Sequence, residues 1–447
     1  MRVRLLRSLY LPSCVVGGLL GLALVQGISA AAASSDSAWT GRVDNVLADW
    51  LVVWGKLPGS LINVVFACLF LGVQLPRFSV LLRRAGRQFA YGQIVAWGQY
   101  VVPMGLWLLF LGRMFPQFPA MFTTILPVGF EGGHGTAAGM AETFEYYGWA
   151  EGKDFALSSA TFGVVSAIVV GMSLINWAAR RGYARGQLQP ADVPEDDSIG
   201  IIPVGERPSA GRLTVSSDII ETFTLHIVIV GIAIGLGYVA KRGIVGIEQA
   251  VPYLARHKLL SGFPLFPLCM LGGFVVQLVA DRFDRYGHID AGLMRRIQNA
   301  SLDFLIVAAI ATIRLDVVLS GVAPLLILVA AGVLWNVFCV VFLARKVFSD
   351  AWFERSIAEL GQSTGVTATG LLLLRVVDPD YETPAANAFA CKQLLHEPIM
   401  GGGLWTAMAI PLTAIYGPGK VILIPITVMA ILLSVVFLPR VFSSSRS

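Results

Sequence analysis

The chain has 447 residues, 56% hydrophobic and 14% charged, with a formal net charge of +5 and a mean hydropathy of +0.72. A water-soluble chain of this size carries about 25% charged residues, so a soluble particle is excluded. Repeated runs of about 20 apolar residues call for helices that cross a bilayer. No ten-residue alternating segments suggest a β-barrel, and the basic residues cluster between apolar runs, as topology signals do and nucleic-acid surfaces do not.

In chain order, ten spans are expected at 10–30, 58–76, 90–112, 154–178, 217–240, 260–281, 299–321, 322–344, 385–410 and 419–439. The first opens with Met1-Arg-Val-Arg and closes near Ala31-Ala32-Ala33, the layout of a cleavable signal; the internal repeat below reads it as a span instead. Arg2, Arg4 and Arg7 place the N-terminus in the cytoplasm. Clusters at 77–87, 180–185, 282–296 and 345–346 agree, provided that 114–150 enters and leaves from outside and 352–383 from inside. The loop 241–258, with Lys241, Arg242, Arg256 and Lys258, opposes this order. The five cysteines (Cys14, Cys68, Cys269, Cys339, Cys391) lie in apolar segments without CxxC spacing and are expected to be buried, with neither disulfide nor metal site.

The expected organisation is a first half over 1–185, a polar cytoplasmic linker over 186–216, a linking helix and outer loop over 217–258, and a second half over 259–447. The halves resemble each other. Pro12-Ser-Cys-Val-Val-Gly-Gly returns as Pro267-Leu-Cys-Met-Leu-Gly-Gly, Gln99 corresponds to Asn336, and Gly135-Thr-Ala-Ala to Gly365-Val-Thr-Ala. The offset shrinks from 255 to 230 residues along the chain. With span 217–240 between them, the second half crosses the membrane upside down, as in secondary transporters with inverted repeats.

Two stretches fail as ordinary spans, Gly129-Phe-Glu-Gly-Gly-His-Gly-Thr-Ala-Ala-Gly139 and Gly361-Gln-Ser-Thr-Gly-Val-Thr-Ala-Thr-Gly370. Such a run cannot face lipid, because each unpaired backbone group there costs several kcal/mol. Inside protein, freed carbonyls suit a cation and exposed amides at a half-helix start suit a carboxylate. Small residues that merely let helices pack closely are the alternative.

Glu131-Gly-Gly-His-Gly-Thr, then Tyr146-Tyr-Gly-Trp and Ala160-Thr-Phe-Gly163, resemble the bacterial sodium/glutamate symporters, as do Arg83-Arg-Ala-Gly-Arg87 and Gln99. The resemblance implies an all-α membrane protein of about ten helices in two inverted repeats, each with a re-entrant hairpin (about 114–150 and 352–383), and uptake of glutamate coupled to Na⁺, with no bound cofactor. It implies the inner (plasma) membrane as the location and the lipid bilayer and a small anionic solute as partners, with a homodimer left open. The family pattern has Ser where Glu131 stands, its second hairpin is longer, and this chain starts near the family's second helix and adds span 419–439.

The candidate substrate set is Gly132, Gly133, His134, Gly135, Thr136, Ser363, Thr364, Gly365, Thr367, Thr369 and Lys392; the candidate Na⁺ ligands are Glu131, Thr161 and Gln362. Ionisable groups at membrane depth default to function, and Glu131 can serve as Na⁺ ligand, proton carrier or bystander. Lys392, His396 and Glu397 either pair across the hairpin or snorkel to the inner interface. Arg375 is a further candidate for an acidic side chain. No HExxH or paired aspartates suggest an enzyme. A proton-coupled symporter, or one for another solute, is the alternative.

Overall fold

A computed structural model describes residues 12–33, 38–73, 78–184, 209–216, 218–379 and 381–444. The N-terminal arginines and the linker 186–208 lie outside these residues. The described chain is helical, without strands, and eight of its helices are long and apolar enough to cross a membrane.

Three expected spans take a different form. The second is α2 (Ala38–Ala67), ending nine residues before the expected 76, because the chain turns at Gly72, whose φ is 74° and whose N–H donates to Gln277 at 2.7 Å. The expected 299–321 is α11 (Ala291–Ala311), which carries Arg295, Arg296 and Asp303. It stops at Thr312, whose hydroxyl bonds back to the Ala308 carbonyl at 2.9 Å. The expected 385–410 is two short helices, Ala385–His396 and Leu404–Tyr416. Pro398 disfavours helix at the residue before it, and Gly401 and Gly402 have φ of 67° and 105°.

The described residues divide into two compact units that do not follow the sequence halves; each draws on both. The first takes its residues from 1–75, 138–143 and 193–314. It contains α1 (Ser13–Ala33), α2, α8 (Thr222–Ala250), α9 (Pro252–His257), α10 (Phe266–Phe283) and α11. Small residues bring α10 close to its neighbours: a Cβ on Gly272 or Gly273 would lie 2.1 Å from the carbonyl of Ala233 or Ala67. Their core joins Ala67, Leu71, Val230, Ala233, Cys269, Met294 and Ile297. Glu221 caps α8 by accepting from Phe223 and Thr224 N–H at 2.9 and 2.6 Å, bonds that hold its carboxyl below the usual range.

The second unit takes its residues from 76–137, 144–192 and 315–447. Helix α3 (Phe78–Leu106) runs into a π-helical turn, Trp107–Leu111. A 3₁₀ turn, Ala120–Thr124, leads to α4 (Ile125–Gly129), a break at 130–132, and α5 (Gly133–Gly139). Residues 138–143, the end of α5 and the start of α6 (Ala141–Tyr146), count with the first unit, and α7 (Gly152–Arg180) is a long span of the second. Past the short α12 (Leu315–Ser320), α13 (Val322–Phe338) also ends in a π turn, Cys339–Leu343. Helices α14 (Trp352–Thr364) and α15 (Thr367–Val377) fold back on each other. The two halves of the broken ninth span are α16 and α17, followed by α18 (Pro418–Val421) and α19 (Leu423–Ser444). Leu174, Ile175, Phe353, Ile357, Leu373, Leu374 and Phe389 form the apolar core beneath α14 and α15. Arg345 stacks over the rings of Trp177, Tyr183 and Trp352, with its guanidinium 5.3, 4.5 and 4.6 Å from the centroids.

Candidate functional site

Three helix breaks of the second unit supply the site: 130–132, 365–366 and 397–403. Gly133 holds φ at 64°, and a Cβ there would lie 3.2 Å from Val366 Cγ1 and 3.5 Å from the Gly365 carbonyl. The first two breaks therefore touch. Gly163 permits a closer approach still, because a Cβ on it would fall 2.2 Å from the Thr364 carbonyl. The third break joins them through Thr136, which donates to the Gly401 carbonyl at 3.1 Å.

A polar network runs through this junction. Lys392 is fully buried, so it does not snorkel. Its ammonium donates to Glu359 at 2.6 Å, Gln362 at 3.0 Å and Gln393 at 2.9 Å. An ammonium only donates, so Gln362 must turn its oxygen to Lys392; its amide nitrogen then donates to Glu131 Oε1 at 2.9 Å. The same Glu131 oxygen lies 2.6 Å from His396 Nε2.

The tautomer of His396 follows from its other neighbour. The Trp97 indole N–H donates to Gln93 Oε1 at 2.9 Å, which leaves the Gln93 amide nitrogen facing His396 Nδ1 at 3.0 Å. His396 Nδ1 is thus an acceptor and Nε2 carries the hydrogen that Glu131 receives. His396 is neutral. With His396 neutral, the cation of this network is Lys392, set against the carboxyls of Glu131, Glu359 and, through Gln393, Glu397.

His134 is settled in the same way. Thr161 donates to the Leu157 carbonyl at 3.0 Å and so accepts from His134 Nε2 at 3.0 Å. This leaves His134 Nδ1 as a bare acceptor, buried without a partner, like Glu131 Oε2 and Gln99 Oε1.

The other expected residues are placed as follows. Ser363 donates to Asn336 at 2.8 Å, and its carbonyl accepts from Gln99. This ties together the two residues matched in the repeat. Gly361-Gln-Ser-Thr-Gly365 has the spacing of a hydrolase nucleophile motif, but Ser363 closes a helix and pairs with an amide, not a base. Thr364 donates to the Leu360 carbonyl at 2.5 Å, while Thr367 accepts from Gln393 at 2.7 Å. Thr369 is buried beside Gly365. Gly132 donates its N–H to the Pro127 carbonyl at 3.1 Å, and Gly135 lies in α5. Arg375 is exposed.

Sequence reasoning missed Glu359, Gln88, Gln93 and Gln393. Gln88 donates to Glu359 Oε2 at 3.1 Å, which uses the second oxygen of that carboxylate. Gln393 also donates to Glu397 at 3.2 Å. The signal was a polar stripe on α3 (Gln88, Gly92, Gln93, Gln99) in the largely apolar stretch of that helix beyond Arg87. Gly92 belongs to it because a Cβ there would meet Lys392 Cε at 2.5 Å and Glu359 Oε1 at 2.6 Å.

The sequence profile of the Sodium/glutamate symporter family matches residues 1–371, ending before α16 contributes Lys392 and His396. Sodium/glutamate symporters of Escherichia coli (strain K12) and Shigella flexneri are each 22% identical to the chain over 380 residues, 84% of this chain and 83% of each relative. No solved structure matches it significantly. The chain belongs to the sodium/glutamate symporter family and is a multi-pass inner-membrane transporter rather than an enzyme.

Proposed function

We propose that the chain carries glutamate, or a similar small anionic amino acid, into the cell together with Na⁺ by alternating access. The observation that carries this reading is the contact between Gly133 and the Gly365–Val366 turn, where helix breaks from distant parts of the chain meet over a buried polar network. Broken helices meeting in this way provide backbone polar groups where a membrane otherwise offers none. Helix α15 follows Val366, which supplies no capping side chain, so its first N–H groups suit a substrate carboxylate. Carbonyls freed at the breaks suit Na⁺ as cargo.

Of the Na⁺ ligands expected from the sequence, Thr161 is engaged by His134 and Gln362 turns its oxygen to Lys392; Glu131 retains an unpartnered oxygen. The inverted repeat belongs to the same proposal. It is supported by α3 and α13, which carry Gln99 and Asn336, each run into a π turn, and each precede a broken element. The re-entrant course of the two hairpins is proposed on that basis.

Protein reconstituted in liposomes should accumulate labelled glutamate under an inward Na⁺ gradient. Uptake unchanged on removing Na⁺ rejects the coupling, and no uptake of any acidic amino acid rejects the substrate. A second reading, transport of a different small solute, is favoured by one observation: all three N–H groups of Lys392 are already used inside the protein.

A further inference from the structure

We infer that Glu131 is the recognition point for the protonated amine of the transported solute, so that the site demands an amine whatever else the solute carries. The inference rests on the transport reading above and narrows its substrate class.

The first observation is the type of group left over. Glu131 is 5% exposed and His134 1%, yet Glu131 Oε2 and His134 Nδ1 have no partner. Glu131 lies in the first break and His134 in the first turn of α5, on either side of the Gly133 that approaches Val366. Gln99 Oε1, on α3 beside Ser363, is a third such atom. All three are acceptors. Buried polar atoms in native proteins are nearly always paired, so a carboxylate oxygen and an imidazole nitrogen left without partners three residues apart in the chain suit a donor from outside it.

The second observation is charge. With His396 held neutral by Gln93 and Trp97, the Lys392 ammonium is bonded to Glu359, while the Glu131 carboxyl meets amide and imidazole N–H groups and no bonded cation. A cationic group entering beside Glu131 supplies one. The titratable groups that act on Glu131 are His396 and Lys392 from α16, Glu397 from the third break and Tyr100 from α3. Lys392, the cation among them, is fully engaged.

The third consideration separates an ammonium from a free metal cation. Hard cations take oxygen ligands, whereas one of the waiting acceptors is an imidazole nitrogen, and Glu131 is already approached by the N–H groups of His396 and Gln362. A primary ammonium brings three N–H donors and suits nitrogen and oxygen acceptors alike.

The test compares L-glutamate with glutarate, the same dicarboxylate without the amine, as stabilisers of the purified full-length protein in NaCl and as competitors of labelled uptake in liposomes. Glutarate should need at least about a hundredfold higher concentration, because a site built around a polar group rejects the analogue that lacks it. In E131Q that gap should shrink to less than about tenfold, while E131D should keep most of it. Equal potency of glutarate and glutamate on the wild type overturns the inference; so does full discrimination in E131Q. Loss of Na⁺ dependence alone in E131Q, with the amine preference intact, also overturns it and assigns Glu131 to the free cation. If E131Q fails to fold, the wild-type comparison and E131D still decide. Glutamine and its amine-free counterpart form a second pair. Should glutamine act through Glu131 while glutamate does nothing, the amine site stands and the glutamate reading falls. If no amine-bearing solute in the panel binds, the inference falls.

Discussion

The two compact units both bury polar side chains, but they satisfy them differently. In the first unit the partners are largely backbone groups next to turns. Glu248 accepts from the N–H groups of Leu260 and Ser261 at 2.6 and 3.0 Å. His226 lies between the Thr222 carbonyl at 2.7 Å and the Asp290 N–H at 2.8 Å, and Gln277 holds the Gly72 N–H. Each fixes a local bend where a helix meets a loop. In the second unit the bonds run from side chain to side chain across helix breaks, and acceptors remain unused at Glu131 and His134. A polar residue that completes the backbone around it is structural. A network left with unused acceptors is poised for a ligand.

The sharpest way to break this distinction is to remove one member of the buried ion pair. Lys392→Met or Glu359→Met alone should cost about 3–5 kcal/mol, because each leaves an uncompensated charge in the interior. The double replacement should recover most of that loss. Thermal or denaturant unfolding of the three variants checks this, and a cost typical of surface substitutions would show the network to be dispensable. Gly133→Val should lower transport by about a hundredfold or more while the protein still inserts, since displacing a binding group by about 1 Å has effects of that size. Paired uptake and surface-expression measurements distinguish the two. Gly92→Ala should cost about 1–3 kcal/mol through overpacking against Lys392 and Glu359, a loss readable in the melting temperature. The smallest effect belongs to the first unit. Gln277→Leu removes the acceptor of the Gly72 N–H and should cost about 1 kcal/mol, with an unchanged apparent affinity for substrate in the uptake assay.

Much of this organisation was legible in the sequence. Composition announced a helical membrane protein, and the glycine-rich runs at 129–139 and 361–370 marked two of the three breaks. The third break was hidden inside an expected span, although Pro398 and Gly401-Gly-Gly403 stood in plain view; apolar residues on both sides masked them in a windowed reading. Glu131, Gln362 and Lys392 were singled out for separate reasons, and their linkage through one amide depends on contacts between residues as far as 231 positions apart. Periodicity within a single helix cannot report such a contact. Glu359 precedes the glycine run 361–370 on which the reading of the expected hairpin 352–383 rests; it lies on a regular helix with Lys392 as its partner.

Glu131 and its imidazole partner are separated by 265 residues of chain, and this spacing bears on how the protein is made. The ribosome releases the acid long before the histidine and the lysine that surround it. Until α16 has been synthesised, the first break carries an acid with neither partner, and a carboxylate in hydrocarbon costs at least about 2.5–3.5 kcal/mol. The segment must therefore wait in a hydrated place, at the membrane surface or within the insertion machinery, and settle late. A chain truncated before residue 392 lacks both partners.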